Sequence, residues 1–145
     1  MMSVKSQLTP EVRTLFGKVA DLLIPAYKQM PAATSVGVHE GLLDKVLEFR
    51  PDIVEAFFRG MGKIDARNLS ASVNALFRED EEAFGAVSLA ASGGYYMAEP
   101  VRKALGYPGQ ESLTYDAHAV PDYLVSHMLE RVASRGSIYR PTPAK

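Results

Sequence analysis

The stretch that decides the fold is TPEVRTLFGKVADLL, from Thr9 to Leu23. Thr9 is a favourable N-cap, Pro10 suits the first helical position, and Glu11 places a negative charge in the first turn. Pro25 marks the end of the helix, because proline cannot continue it. Apolar residues recur between these signals at the three-to-four spacing of a buried helix face: Val12, Leu15, Phe16, Val19, Leu22 and Leu23.

The same pattern recurs along the chain. Helices are predicted from Val38 to Phe49, Pro51 to about Gly62, Ser70 to Phe77, Asp80 to the Gly93-Gly94 pair, and Pro121 to Gly136. The last of them carries a stripe formed by Leu124, Val125, Met128, Leu129 and Val132. No run of alternating β-branched residues predicts a strand. The expected fold is therefore all-α, a single compact bundle of about six to seven helices with irregular loops.

Composition limits the function classes. The 145 residues correspond to about one domain, expected over residues 1–145 with an extended or disordered tail from about residue 137. Sixteen basic and seventeen acidic residues argue against a nucleic-acid or anionic-membrane partner, which would need a basic excess. The chain has no cysteine, which excludes disulfides, zinc–thiolate sites, iron–sulfur clusters and covalent c-type haem within it.

The N-terminal residues bear on localisation. Met1 to Gln7 is polar, and no signal-peptide core or twin-arginine pair follows. No apolar stretch is long enough to cross a bilayer. We expect a cytoplasmic protein, or a periplasmic one if a leader was removed or a partner directs export.

Residues that carry chemistry are few. His39, His118 and His127 are scattered without metal-ligand spacing, and the acidic run Glu79 to Glu82 lacks the alternating ligands of a calcium loop. Gly60-Met61-Gly62 and Gly93-Gly94 lack the preceding strand of a dinucleotide fold. We therefore expect no catalysis, no cofactor and no metal in this chain.

The segment from Ser92 to Gly109 has an unusual composition, with four glycines, two prolines and three tyrosines. Pro100 fits the first turn of a short helix, and Gly106 suits the left-handed residue that closes it. One face of this helix is expected to carry Val101, Ala104 and Leu105, and a tight turn is expected at Tyr107-Pro108-Gly109.

This segment carries a family resemblance. Gly94-Tyr95-Tyr96, Pro100-Val101 and the run from Leu105 to Gly109 resemble the signature of the gluconate 2-dehydrogenase subunit 3 family. The runs Ala20 to Ala26, Met30 to Ala33 and Val36 to Val38 are similar to the N-terminal pattern of that family. The resemblance spans roughly residues 8 to 109.

The resemblance implies a non-catalytic accessory subunit. Members of the family are small, cofactor-free partners of large FAD-dependent oxidoreductases of the glucose-methanol-choline type. FAD and catalysis would then belong to the partner chain. Tyrosine offers a large contact area with a polar tip, as interface hot spots require. The expected partner-binding residues are Tyr95, Tyr96, Pro100, Tyr107, Pro108 and Tyr139.

Alternatives remain open at this stage. The tyrosines of the segment equally suit a bundle core, with buried rings and bonded hydroxyls. A stand-alone helical module that binds a small molecule or a regulatory partner is a second function. A third is an enzyme that uses Asp116, His118 or the carboxylates near Glu79. Expressed alone, an accessory subunit is expected to be unstable, whereas a stand-alone module is expected to be a well-behaved monomer.

Overall fold

The computed structural model describes residues 4–112, 116–136 and 138. Packing separates two compact units, Met1–Gln110 and Glu111–Lys145. The described residues form helices and no strand, with one isolated antiparallel bridge between Tyr27 and Met30. The predicted all-α class is confirmed. The single domain expected over residues 1–145 stays a prediction.

Seven α-helices are described in the first unit. Short 3-10 turns at Thr34–Val36 and Pro51–Ile53 and a π turn at Val38–Leu42 join some of them. The helices are α1 (Val4–Gln7), α2 (Pro10–Leu23), α3 (Leu43–Phe49), α4 (Val54–Lys63), α5 (Leu69–Glu79), α6 (Glu81–Met97) and α7 (Glu99–Ala104).

The predicted start and end of α2 are confirmed. The Thr9 side chain accepts a hydrogen bond from the N–H of Val12 at 3.4 Å, and Pro10 occupies the first turn. The helix ends at Leu23, where the N–H of Ile24 bonds to the carbonyl of Ala20 just before Pro25. The apolar stripe of α2 turns inward and buries Phe16 and Val19.

The core surrounds α6, which packs against α2, α3, α4, α5 and α7. An edge-to-face contact joins Phe16 of α2 to Phe57 of α4, with the ring centroids 5.4 Å apart. Full burial of a large apolar side chain contributes about 1.5–3 kcal/mol, so these residues hold the bundle together. The largest fully buried side chains are Phe16, Phe57, Leu43, Leu47, Val19, Val38, Val87 and Val101.

The expectation that the fifth predicted helix ends at Gly93-Gly94 is wrong. Asp80 caps α6 as predicted, accepting a hydrogen bond from the N–H of Ala83 at 3.1 Å, but the helix continues through both glycines to Met97. A Cβ at Gly94 would lie 3.2 Å from Cγ1 of Val38. Glycine at this position therefore permits close packing between α6 and the π turn.

The helix predicted from Val38 to Phe49 is interrupted. Glu40 leaves helical geometry at φ −101° and ψ −131°, and regular α-helix begins only at Leu43. The Arg13 guanidinium of α2 donates to the carbonyl oxygens of His39 at 3.2 Å and Glu40 at 3.0 Å, and it also pairs with Asp44. Those carbonyl groups thus bond to α2 as the chain turns into α3.

The described residues of the second unit form two short helices where one was predicted. They are α8 (Asp122–Val125) and α9 (Met128–Ala133). The helix is broken at His127, whose φ of 56° lies in the left-handed region and whose Nδ1 lies 2.8 Å from Oε1 of Glu130. Every described residue from 116 to 136 is exposed, including the predicted apolar stripe.

Candidate partner-binding surface

The segment that carries the family resemblance forms the end of α6, the whole of α7 and the loop that follows. Pro100 lies in the first turn of α7 as predicted, and Val101 anchors this helix with a fully buried side chain. Leu105, expected on the same face as Val101, is 53% exposed, because it falls after the helix has ended at Ala104.

Gly106 closes α7 in the left-handed conformation that the sequence predicts, at φ 67°. Its N–H bonds to the carbonyl of Lys103 at 3.1 Å, and the N–H of Tyr107 bonds to the carbonyl of Arg102 at 2.9 Å. This pair of bonds is a Schellman motif, which fixes the direction in which the chain leaves the helix. Tyr107 is thereby held at a defined place on the surface.

Tyr95 belongs to the bundle core. Tyr95 is only 3% exposed, and its hydroxyl donates a 2.6 Å hydrogen bond to the carbonyl oxygen of Pro31. Burial raises the pKa of the Tyr95 phenol above its ordinary value, and the neighbouring Tyr96 adds to that shift. For Tyr95 the core alternative therefore describes the structure, and the ring offers little contact area to a partner.

The next residue in the chain lies at the surface. Tyr96 is 58% exposed, and its ring packs edge-to-face on that of Tyr95 with centroids 5.6 Å apart. This contact holds the exposed ring against a buried one. Pro100, Tyr107 and Pro108 are also exposed. The remaining predicted contact residue, Tyr139, lies outside the described residues.

A shallow depression of about 520 Å³ lies beside α7. It brings two of the predicted contact residues, Tyr107 and Pro108, together with charged groups that the sequence analysis did not single out. The residues that line it are Glu99, Arg102, Lys103, Gly106, Tyr107 and Pro108. The depression combines an aromatic ring and an arginine, residue types that are enriched at interfaces, with a lysine and a glutamate, which are depleted there.

A charge network at the start of α6 was also missed. The Asp80 carboxylate accepts from Nε of Arg59 at 3.0 Å and from Nζ of Lys63 at 2.7 Å, while Arg59 also pairs with Glu82. The hydrogen bond from Arg59, followed by those from Lys63 and the Ala83 N–H, holds the pKa of Asp80 well below its ordinary value. Asp80 and its basic partners lie about 20 positions apart in the chain, so no local sequence pattern signals the network. The network joins α4 to α6.

Three of the carboxylates considered for catalysis, those of Asp80, Glu82 and Asp116, have structural hydrogen-bond partners. The Asp116 carboxylate accepts a hydrogen bond from the backbone N–H of His118 at 2.9 Å, which is a turn stabilised by an aspartate side chain. In the part of the chain that the structure describes, no three histidine or acidic side chains are placed to hold a metal ion. The arrangement offers contact surfaces more clearly than reactive groups.

Comparison with known proteins finds no matching family model, no similar curated protein and no similar solved structure. Among the described helices, none is both long and apolar enough to cross a bilayer.

Proposed function

We propose that this chain is a non-catalytic small subunit that binds and stabilises a large FAD-dependent oxidoreductase, a sugar or alcohol dehydrogenase or oxidase of the glucose-methanol-choline type. The observation that carries the proposal is the exposure of Tyr96 and Tyr107, 58% and 56%, within the segment that bears the family resemblance. Interface hot spots are enriched in tyrosine, and an exposed ring offers a large contact area to a partner.

The local structure supports such a role because it holds the Tyr96 ring and fixes the backbone position of Tyr107. Tyr96 rests on the buried ring of Tyr95, and Tyr107 follows a helix that Val101 anchors in the core. Side chains that are already ordered lose less conformational entropy when a partner binds. The segment therefore offers contact area at a low entropic cost.

The subunit would act on its partner by mass action. A protein that binds only the folded form of the flavoprotein stabilises it by about 2.7 kcal/mol when present at 100 times the dissociation constant. Catalysis, FAD and substrate specificity would all reside in the large chain. No group of the small subunit needs to take part in electron transfer.

The proposal predicts a neighbouring reading frame that encodes a large FAD-dependent chain, and the test is co-expression of this chain with that one. We expect the two to co-purify, with flavin absorbance in the complex and none in the isolated small subunit, and we expect the large chain to unfold at a higher temperature in the complex. A flavoprotein that purifies with the same stability and yield without this chain would contradict the proposal. So would stoichiometric flavin bound to this chain alone.

A second function, binding of a small apolar molecule by the isolated chain, is favoured by an open groove of about 420 Å³ where the end of α2 meets α6. The residues that line it are Leu23, Ile24, Gly85, Ser88, Leu89, Ala91 and Ser92. This function predicts a stable monomer whose melting temperature rises with an apolar ligand. Leu89→Glu would then abolish the rise, whereas Phe49→Glu, at an exposed position in α3, would preserve it.

A further inference from the structure

The depression beside α7 contains an excess of positive charge. Arg102 and Lys103 line it, and neither forms an ion pair with any residue of the ranges 4–112, 116–136 and 138. Glu99 is the one acidic group among the residues that line it. Two cations against one carboxylate leave a net charge of about +1 in a concave surface, which attracts an anionic group.

Arg102 has hydrogen-bonding capacity that its surroundings do not use. Its Nε is buried and has no hydrogen-bond partner among the described residues. Its Nη1 lies 4.0 Å from the place that a Cβ at Gly109 would occupy, so the guanidinium rests against the loop that follows α7. A buried donor without an acceptor is costly, and no hydrogen bond to a described residue holds this side chain in its present rotamer.

The helix dipole favours these cations but does not use their hydrogen-bond donors. Basic residues are favoured in the last turn of a helix, where Arg102 and Lys103 lie. However, the carbonyl oxygens of these two residues already accept the N–H groups of Tyr107 and Gly106. The guanidinium and ammonium groups therefore remain available for another acceptor.

We propose that the depression binds an aspartate or glutamate side chain of the partner chain. The carboxylate would accept hydrogen bonds from the guanidinium fork of Arg102 and from the ammonium of Lys103, with the Tyr107 ring against its methylene groups. This inference rests on the proposed function, since the acidic residue belongs to the flavoprotein. The carboxylate site adds an electrostatic contact to the proposed contact made by the exposed tyrosines.

The test compares complexes of the full-length chain with the large FAD-dependent subunit. We expect Arg102→Gln and Lys103→Gln each to weaken the complex by about tenfold and to reduce the dependence of its dissociation constant on salt. Arg78→Gln is the matched control. Arg78 lies in the last turn of α5, is exposed and has no ion pair among the described residues, so its replacement should change neither quantity.

The melting temperature of each free variant completes the experiment. An unchanged value for Arg102→Gln, together with weakened assembly, supports the carboxylate site. Unchanged affinity and salt dependence for both variants would overturn the site and leave the proposed function intact. The same conclusion would follow if Arg102→Gln lowered the stability of the free chain and left affinity unchanged. Failure of the wild-type chain to bind the flavoprotein at all would instead overturn the proposed function and this inference with it.

Discussion

The hydroxyl of Tyr95 donates a 2.6 Å hydrogen bond to the carbonyl oxygen of Pro31, 64 positions earlier in the chain. This bond ties the last turn of α6 to the loop that follows α2. It also satisfies the one polar group of a ring that is otherwise in the core. Two adjacent tyrosines thus have different roles, since Tyr95 fixes the fold and Tyr96 lies on its surface.

Tyr95→Phe is expected to lower the free energy of unfolding by about 1 kcal/mol, because it removes this hydrogen bond while keeping the ring. Tyr96→Phe is the control and should leave stability unchanged, since the exposed hydroxyl of Tyr96 has no bond to the described residues. Urea unfolding of the isolated chain measures both values. Equal stability of the two variants would contradict the structural role of the Tyr95 hydroxyl.

The two glycines of α4 provide a matched pair. A Cβ at Gly60 would lie 3.0 Å from Cγ2 of Val87 and 3.1 Å from the backbone oxygen of Ala83, whereas a Cβ at Gly62 would have no atom of the described chain within 4 Å. Gly60→Ala should therefore destabilise the protein by about 1–3 kcal/mol through crowding against α6.

Gly62→Ala should instead stabilise it by up to about 1 kcal/mol, because alanine has the higher helix propensity. Thermal unfolding of the two variants compares the same chemical change in one helix. Stabilisation by both substitutions would show that α4 and α6 are not in close contact at Gly60.

The charge network around Asp80 predicts that the free energy of unfolding falls in acid. The pKa of Asp80 is lowered in the folded state by Arg59, Lys63 and the Ala83 N–H, so this residue stabilises the fold when the pH is above its unfolded value of about 3.8. The contribution is lost as the pH falls below that value toward the lower folded pKa, since the unfolded chain then binds the proton more readily.

We therefore expect Asp80→Asn to lower stability at neutral pH and to flatten the decline in the free energy of unfolding below about pH 4. Glu48→Gln removes an exposed carboxylate with no ion pair among the described residues, and it should preserve that decline. Denaturant melts at a series of pH values make the comparison. A decline of the same steepness in the Asp80→Asn protein would show that other carboxylates are responsible.

Local signals in the sequence predicted the helix ends well. Thr9, Asp80, Pro100 and Gly106 all occupy the terminal positions that their chemistry favours, because capping depends on a few neighbouring residues. The apolar stripe of α2 likewise indicated core residues such as Phe16 and Val19, although Leu22, expected on the same face, is 42% exposed.

Contacts between distant segments explain what the sequence did not predict. Arg13 of α2 bonds to the carbonyl groups of His39 and Glu40, and Gly94 of α6 packs closely on Val38. Neither relationship follows from local spacing. The same holds for the hydrogen bond from Tyr95 to Pro31, and for Arg102 and Lys103 beside Tyr107, which form no ion pair with the described residues.

The proposed contact of Tyr96 and Tyr107 with the flavoprotein predicts what happens when either ring is removed. Tyr96→Ala and Tyr107→Ala are each expected to weaken assembly with the flavoprotein by about 2 kcal/mol, or about thirtyfold in affinity, because each removes a large contact area. Phe49→Ala removes an aromatic ring that is 70% exposed in α3, outside the segment from Ser92 to Gly109, and should leave affinity unchanged.

Stability of the free variants separates an interface role from a packing role. Both rings are more than half exposed, so their removal should change the melting temperature of the isolated chain little, whereas Tyr95→Ala, which empties a buried site, should cost about 3–5 kcal/mol. Titration calorimetry of the complex, paired with thermal melts of each free chain, gives both quantities. If Tyr96→Ala and Tyr107→Ala assemble as tightly as the wild type, the contact surface lies elsewhere; if they melt early but bind normally, the exposed tyrosines serve the bundle alone.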